Sequence, residues 1–323
     1  MPPSDQIIVS LSGGAPPTDG TPNQVDDTLQ YIADKITQHQ CILFLGAAVH
    51  SPSPEGYPCV YPRDKCPPTG RALSELLADK SDFTDPDRTN LQRVSQYFES
   101  KRKSRYVLVE EIGKAINVGR EPSPILRALA KLEFPIVITT NYDHLYEMAL
   151  DEKAKQENPA AKPGDSYDTC IYNPSNTGKA KTEDCSSMPD PKRPYLLKMH
   201  GDVKEPQSIV VTDEDYIQFV LRMSDKHPYH PVGKNVLTHL IKWPTLFIGY
   251  RLTDYNLRLL FKTLRWRLDA AQIPPTYAVD LKPDALIRDI YENQLRYITF
   301  IEKNLWDFVP ALYRVVKNEE MPC

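Results

Sequence analysis

The stretch Pro135-Ile136-Val137-Ile138-Thr139-Thr140-Asn141-Tyr142-Asp143 most narrows the folds open to this chain. Four apolar residues, three of them branched, precede Thr139 and read as a strand buried on both faces, as in a parallel sheet. The hydrogen-bonding side chains then fall where that strand ends and a helix begins. In open α/β sheets, ligands bind outside the carboxyl ends of the strands. Thr139 to Asp143 is therefore a candidate site. A plain helix cap at Asn141 or Asp143 explains this stretch alone equally well.

The same grammar recurs. Cys41-Ile42-Leu43-Phe44-Leu45 runs into Gly46-Ala47-Ala48-Val49-His50. Tyr195-Leu196-Leu197-Lys198-Met199 runs into His200-Gly201-Asp202. Leu246-Phe247-Ile248 runs into Gly249-Tyr250-Arg251-Leu252-Thr253-Asp254. Strands are also expected at Ser208–Val211, Thr276–Asp280 and Arg296–Phe300. Helical spacing joins Val25, Leu29, Ile32 and Ile36, with Asn23 as cap, and joins Leu257, Leu260, Phe261, Leu264 and Leu268. Thr69, Ser123 before Pro124, Thr212 with Asp215, and Asn304 mark other helix starts. The expected fold is α/β: a Rossmann-like, doubly wound, mostly parallel sheet. Residues 1–22 read as a flexible N-terminus and 23–320 as the main domain. Helical signal dominates 70–134, too much for one crossover, so a small helical subdomain is inserted there. Residues 151–194 read as a polar loop insertion. The four polar clusters then share one rim of the sheet.

Bulk properties exclude several classes. The chain has 323 residues, 39 basic and 43 acidic, for a formal charge of -4. That balance offers no field for nucleic acid, so no direct nucleic-acid binding is expected. No apolar run approaches membrane-spanning length, and the first residues lack the pattern of a signal peptide. The six cysteines include no Cys-x-x-Cys pair. A reduced, cytoplasmic protein without bound zinc or other metal is the expectation.

Taken together and in this order, Phe44-Leu45-Gly46-Ala47-Ala48, Thr139-Thr140-Asn141-Tyr142-Asp143, Lys198-Met199-His200-Gly201-Asp202 and Gly249-Tyr250-Arg251-Leu252-Thr253-Asp254 resemble the signature blocks of sirtuin-like domains of bacterial anti-phage defence proteins. The resemblance covers roughly residues 25 to 315. Protein-deacylating sirtuins share the fold but usually carry a zinc ribbon with two Cys-x-x-Cys pairs, which this sequence lacks. The defence branch cleaves NAD instead.

The resemblance implies hydrolysis of the nicotinamide–ribose bond of NAD, depleting the nucleotide in abortive infection. It implies Asn141, His200 and Asp143 as catalytic residues, with His200 as general base because imidazole titrates near neutrality. It implies Gly46, Ala47, Ala48, His50, Thr139, Thr140, Gly249 and Tyr250 as residues around the dinucleotide. Asp254 and Arg258 are expected to form a structural ion pair one helical turn apart. The family's first block usually reads Gly-Ala-Gly-x-Ser; here Ala48 and His50 replace the second glycine and the serine. If that glycine needed a positive φ, the Ala48 methyl would cost about 1 kcal/mol. His50 is expected to face solvent or make a weak polar contact. A homo-oligomer is expected, with a HerA-type ATPase or an Argonaute-like protein as further partners. A protein deacylase and a nucleotide-binding sensor or scaffold without turnover remain as alternatives.

Overall fold

A computed structural model describes residues 22–173, 184–223, 225, 230–250, 252, 274–294 and 298–323. Seven strands are described: β1 (Ile42–Leu45), β2 (Ile136–Thr139), β3 (Asp168–Ile171), β4 (Tyr195–Lys198), β5 (Thr245–Ile248), β6 (Thr276–Val279) and β7 (Thr299–Ile301). They form one sheet in the order β3-β4-β2-β1-β5-β6-β7, and every pairing is parallel. With β3 set aside, this is the six-strand order of a dinucleotide-binding sheet, in which the chain crosses from one side of β1 to the other. The α/β, Rossmann-like expectation is met.

Parallel strands need covered faces, and the strand sequences supply apolar side chains to both. Leu43, Leu45, Val137, Leu196, Leu246 and Ile248 pack into one buried layer. Ile42, Phe44, Ile136, Ile138, Leu197 and Phe247 pack into the other. Helices α1 (Pro22–Thr37), α5 (Pro124–Lys131) and α6 (Leu145–Glu157), with the last helix Leu305–Lys317, cover the first face. Helices α7 (Asp213–Arg222) and α8 (Lys234–Leu240) cover the second.

Between β1 and β2, α2 (Gly70–Ser81), α3 (Leu91–Arg102) and α4 (Arg105–Asn117) enclose a third apolar cluster containing Leu77, Val94, Phe98 and Ile112. Four expected starts hold in detail. The Thr69, Ser123 and Asn304 side chains accept from the first turns of their helices, and Thr212 with Asp215 forms a reciprocal capping box. Asn23, by contrast, lies inside α1, which opens at Pro22.

Three further sequence expectations are corrected. Ser208–Val211 is not a strand. Its alternation arises because the segment threads between two cores: Ile209 and Val211 enter the helical cluster, while Val210 enters the sheet cluster. Strand β3, at the sheet edge, lies within 151–194, where the sequence suggested only polar loop. Its one buried position is Cys170, so no apolar alternation marks it. The chain is also not fully reduced: Cys59 and Cys323 form a disulfide, while Cys41, Cys66, Cys170 and Cys185 are buried and outside any disulfide. The N-terminal stretch 1–21, the helix expected around Leu257–Leu268 and the Asp254–Arg258 pair lie outside the described residues.

Candidate active site

Strand register sets the site. Leu45 pairs with Thr139 and Ile248, and Thr139 pairs with Lys198, so β1, β2, β4 and β5 end at one level. The segments after them leave the sheet side by side at the switch in strand order.

The two turns flanking β1 and β5 are locked backbone to backbone. A Cβ on Gly46 would lie 2.4 Å from the Gly249 carbonyl oxygen and 2.8 Å from the Tyr250 ring. A Cβ on Gly249, whose φ is +76, would lie 2.4 Å from the Val49 nitrogen. Gly46 itself is extended, with φ -115 and ψ 171. Its lack of a side chain is therefore explained by turn packing. Ala47 to His50 form a short 3-10 helix in which Ala47 and Ala48 are exposed. Ala48 is not among the residues with positive φ, so its methyl carries no backbone strain.

Thr139 and Thr140 diverge. The Thr139 hydroxyl donates to the Leu45 carbonyl at 3.0 Å and accepts from the Asn141 N–H at 3.0 Å. It fixes the turn from inside the protein. Thr140 is half-buried, and its hydroxyl meets the Tyr250 hydroxyl at 2.5 Å, joining the β2 and β5 rims. Tyr250 in turn packs edge-on against Phe44 and Phe247.

Asp143 fills two roles with its two oxygens. Oδ1 accepts from the N–H of Leu145, the first residue of α6, at 2.9 Å. Oδ2 lies 3.2 Å from His50 Nε2. Burial opposes the charge on this carboxyl, but His50 and then Lys198 outweigh it and hold it down at about 2. His50 is only 5% exposed, so the expectation of a solvent-facing or weakly held ring is wrong. The short helix after Gly46 turns the ring inward, toward the β2 rim. Its Nε2 also lies 3.4 Å from Nδ2 of Asn141.

Beneath this rim lies a charged cluster that sequence reasoning missed. Lys198 Nζ donates to the Asp143 backbone carbonyl at 2.5 Å, to Glu147 at 2.9 Å and to Asp202 at 2.7 Å. His144 Nε2 meets the other Asp202 oxygen at 2.7 Å. Burial disfavours the Lys198 charge, but Glu147, Asp202 and Asp143 more than compensate and raise its pKa. Asp202 is held at about 2 against its own burial by His144 and Lys198. The available signal was a lysine at the end of a strand whose other positions are apolar: such a cation must be paired inside the fold.

His200 sits apart from these ion pairs. Its ring is 3% exposed and stands edge-on to Tyr216 and Phe219, with centroids 5.5 and 5.0 Å away. Burial pushes its pKa down to about 3. The ring is thus neutral at physiological pH, and the expectation that it titrates near neutrality is corrected. Its backbone is held as well: the carbonyl accepts from Val210 at 3.0 Å, and Gly201, with φ +82, leaves no room for a Cβ against Ser208.

Among the described residues, no group of three or more His, Cys, Asp or Glu side chains is arranged to hold a metal ion. Among the same residues, no helix is long and apolar enough to cross a membrane. The segments after β1, β2 and β4 thus bring a carboxamide, a histidine–carboxylate pair and a second, neutral histidine to one rim of the sheet. Such a set suits binding and orienting a polar nucleotide more than it suits metal chemistry.

A family model described as "SIR2-like domain" matches residues 135–304. Among curated proteins, the chain is 25% identical over 241 residues to "NAD(+) hydrolase ThsA" of Acinetobacter baumannii, covering 75% of this chain and 42% of that protein. It is 27% identical over 208 residues to the protein of the same name from Enterococcus faecium, covering 62% and 38%. It is 26% identical over 203 residues to "Defense-associated sirtuin 2" of Bacillus subtilis, covering 59% and 17%. The chain thus spans less than half the length of each of these relatives.

Proposed function

The chain belongs to the SIR2-like domain family, and from that premise we propose that it is an NAD+ hydrolase serving anti-phage defence. The reaction breaks the bond between the ribose anomeric carbon and the nicotinamide nitrogen. The bonding pair leaves with nicotinamide, which departs neutral. A water oxygen bonds to the same carbon, one proton is released, and ADP-ribose is formed. The observation that carries this reading is the placement of Asn141, Asp143 and His50 together at the strand-order switch of a dinucleotide-type sheet.

The transition state is oxocarbenium-like, as in other glycosyl cleavage. Neutral departure of nicotinamide removes the need for a strong general acid. The chain must instead hold the ribose, favour developing positive charge and aim a water. Asn141 supplies the carboxamide that orients a ribose hydroxyl or the water. Asp143 places a buried anion beside the reacting sugar. His200, kept neutral by burial, accepts the proton after the new C–O bond has begun to form. A weak base suffices at that stage, because a water bonded to a cationic carbon is strongly acidic. Gly46, Ala47, Ala48 and Gly249 present turn backbone to the dinucleotide, and Thr140 and Tyr250 present hydroxyls.

Unregulated NAD loss would kill the host, so the activity needs an off-state. Control by homo-oligomer assembly or by a partner, of the HerA-type ATPase or Argonaute-like kind, fits a cytoplasmic protein of this class. The main body runs from about 23 to 320, with the helical insert at about 70–134 and the polar insert at about 151–194.

The test incubates purified protein with NAD, alone and with neighbouring gene products, and measures nicotinamide and ADP-ribose. Intact NAD under all conditions overturns the hydrolase reading. Asn141→Ala is expected to lower kcat by about 100-fold or more while the protein still binds NAD. Full activity in Asn141→Ala, or in His200→Ala, overturns that residue's role instead.

A further inference from the structure

Resting on the hydrolase reading, we propose that His50 is a positioning residue: braced by Asp143, it sets which face of the Asn141 carboxamide meets the substrate. The geometry comes first. His50 Nε2 stands 3.2 Å from Asp143 Oδ2 and 3.4 Å from Asn141 Nδ2. Both His50 and Asp143 are buried. The three side chains come from the β1 turn and the β2 turn.

One ring nitrogen cannot donate and accept through the same position. A carboxylate only accepts, and a carboxamide NH2 only donates. Asp143 is ionised, so the Nε2 proton belongs between the ring and Oδ2. A lone pair on Nε2 aimed at that anion would be repulsive in a water-poor site. Nδ1 gives the same answer. It is buried and, among the described residues, has no hydrogen-bond partner. A buried N–H without an acceptor is costly. A tautomer with its proton on Nε2 leaves only a lone pair at Nδ1.

The consequence falls on Asn141. A half turn of its carboxamide exchanges Nδ2 for Oδ1. With the proton on Nε2, the ring favours the carbonyl oxygen on its side. The NH2 then points away from His50, free to donate to a ribose hydroxyl or to the attacking water. A serine at this position, as in the family's pattern, has one short rotatable hydroxyl and cannot span to both partners in this way. His50 thus does with a planar ring, fixed by Asp143, what this chain needs for a defined amide orientation.

Two measurements test this. The first is independent of turnover: NMR of the full chain labelled with 15N-histidine reads the His50 tautomer. A proton on Nε2, lost from that nitrogen or redistributed in Asp143→Asn, is expected; a proton on Nδ1 in the wild type overturns the proposal. The second compares wild type, His50→Phe and His50→Gln, each checked for folding by circular dichroism, for nicotinamide release and for NAD affinity by calorimetry. Phe keeps a flat ring without the N–H, and Gln restores an N–H donor. Loss of one orienting contact is expected to cost about 100-fold in kcat in His50→Phe. KM and Kd should stay within about threefold, and His50→Gln should recover about tenfold of the loss. Unchanged kcat in His50→Phe, or loss of NAD binding in step with activity, overturns the proposal. Wild-type protein that binds NAD without cleaving it overturns the hydrolase reading, and the tautomer measurement still decides the role of His50.

Discussion

Lys198 Nζ lies 2.7 Å from Asp202 Oδ2, and the lysine side chain is wholly removed from water. This contact ties the end of β4 to the turn that carries His200, and through the Asp143 carbonyl it also ties β4 to the β2 rim. The candidate site therefore rests on a buried charge. Removing one member of a buried pair costs about 3–5 kcal/mol, because the other is left uncompensated. Lys198→Met is expected to lose that much stability in denaturant unfolding. A loss under about 1 kcal/mol would show that the cluster does not support the rim.

Acid should dismantle the same region. Asp143 and Asp202 are both held at about 2, below the ordinary carboxyl value of about 3.9. A depressed folded pKa stabilises above the unfolded value, and that stability is lost as pH falls through the folded one. The vulnerable window is therefore about pH 4 to 2. Each group contributes up to about 2–3 kcal/mol, less in sum because both rely on Lys198. Glu147 runs the other way: burial raises it, so its share fades as pH rises through the raised value. Unfolding measured from about pH 6 downward should show net acid lability, flattened in Asp202→Asn.

The turn glycines and Ala48 should respond in opposite senses to the usual reading of a glycine motif. Gly46→Ala and Gly249→Ala each drive a methyl into the facing turn and should cost about 1–3 kcal/mol by overpacking, with Gly249→Ala worse because of its positive φ. Ala48→Gly restores the family glycine but removes a helix-compatible residue from an exposed, unstrained position. It should lose about 0.5–1 kcal/mol and leave NAD affinity within about threefold. Thermal unfolding and calorimetry separate these outcomes. A large gain in affinity would mean that the methyl does obstruct the dinucleotide.

His200 should stay silent in the neutral range. Because burial holds it at about 3, its ring remains neutral from about pH 5 to 8. Proton uptake would appear only as pH falls toward 3, where the fold itself is under strain from the carboxyls. Histidine-selective NMR across the neutral range checks this directly, with His200→Asn to assign the signal. A His200 midpoint near 6.5 would mean that the Tyr216 and Phe219 enclosure opens in solution.

Several features were written locally and could be read from the chain. The apolar runs at Ile42–Leu45, Ile136–Thr139 and Tyr195–Lys198 define strands because every other side chain feeds one of two buried layers. Thr69, Ser123, Thr212 and Asn304 define helix starts because a cap bonds two or three residues away. A common rim then follows from parallel pairing alone. Ser208–Val211 marks where this logic breaks: alternation reports two-sided burial, and here the two sides are a sheet and a helical layer, with no strand beside it.

What only tertiary structure decided are the partnerships across that rim. His50 and Asp143 are 93 residues apart, and Lys198 and the Asp143 carbonyl are 55 apart. Nothing in the spacing of either pair encodes contact. They meet because strand register brings Leu45, Thr139 and Lys198 level, and because the turn after Gly46 directs one ring inward. The surroundings then set the chemistry: His50 and Lys198 hold Asp143 anionic against its own burial, and burial leaves His200 neutral among aromatic rings. The sequence specified which residues follow the strand ends onto one rim. The surroundings that assign each its charge exist only in the folded chain, since desolvation and ion pairing act through space and not along the backbone.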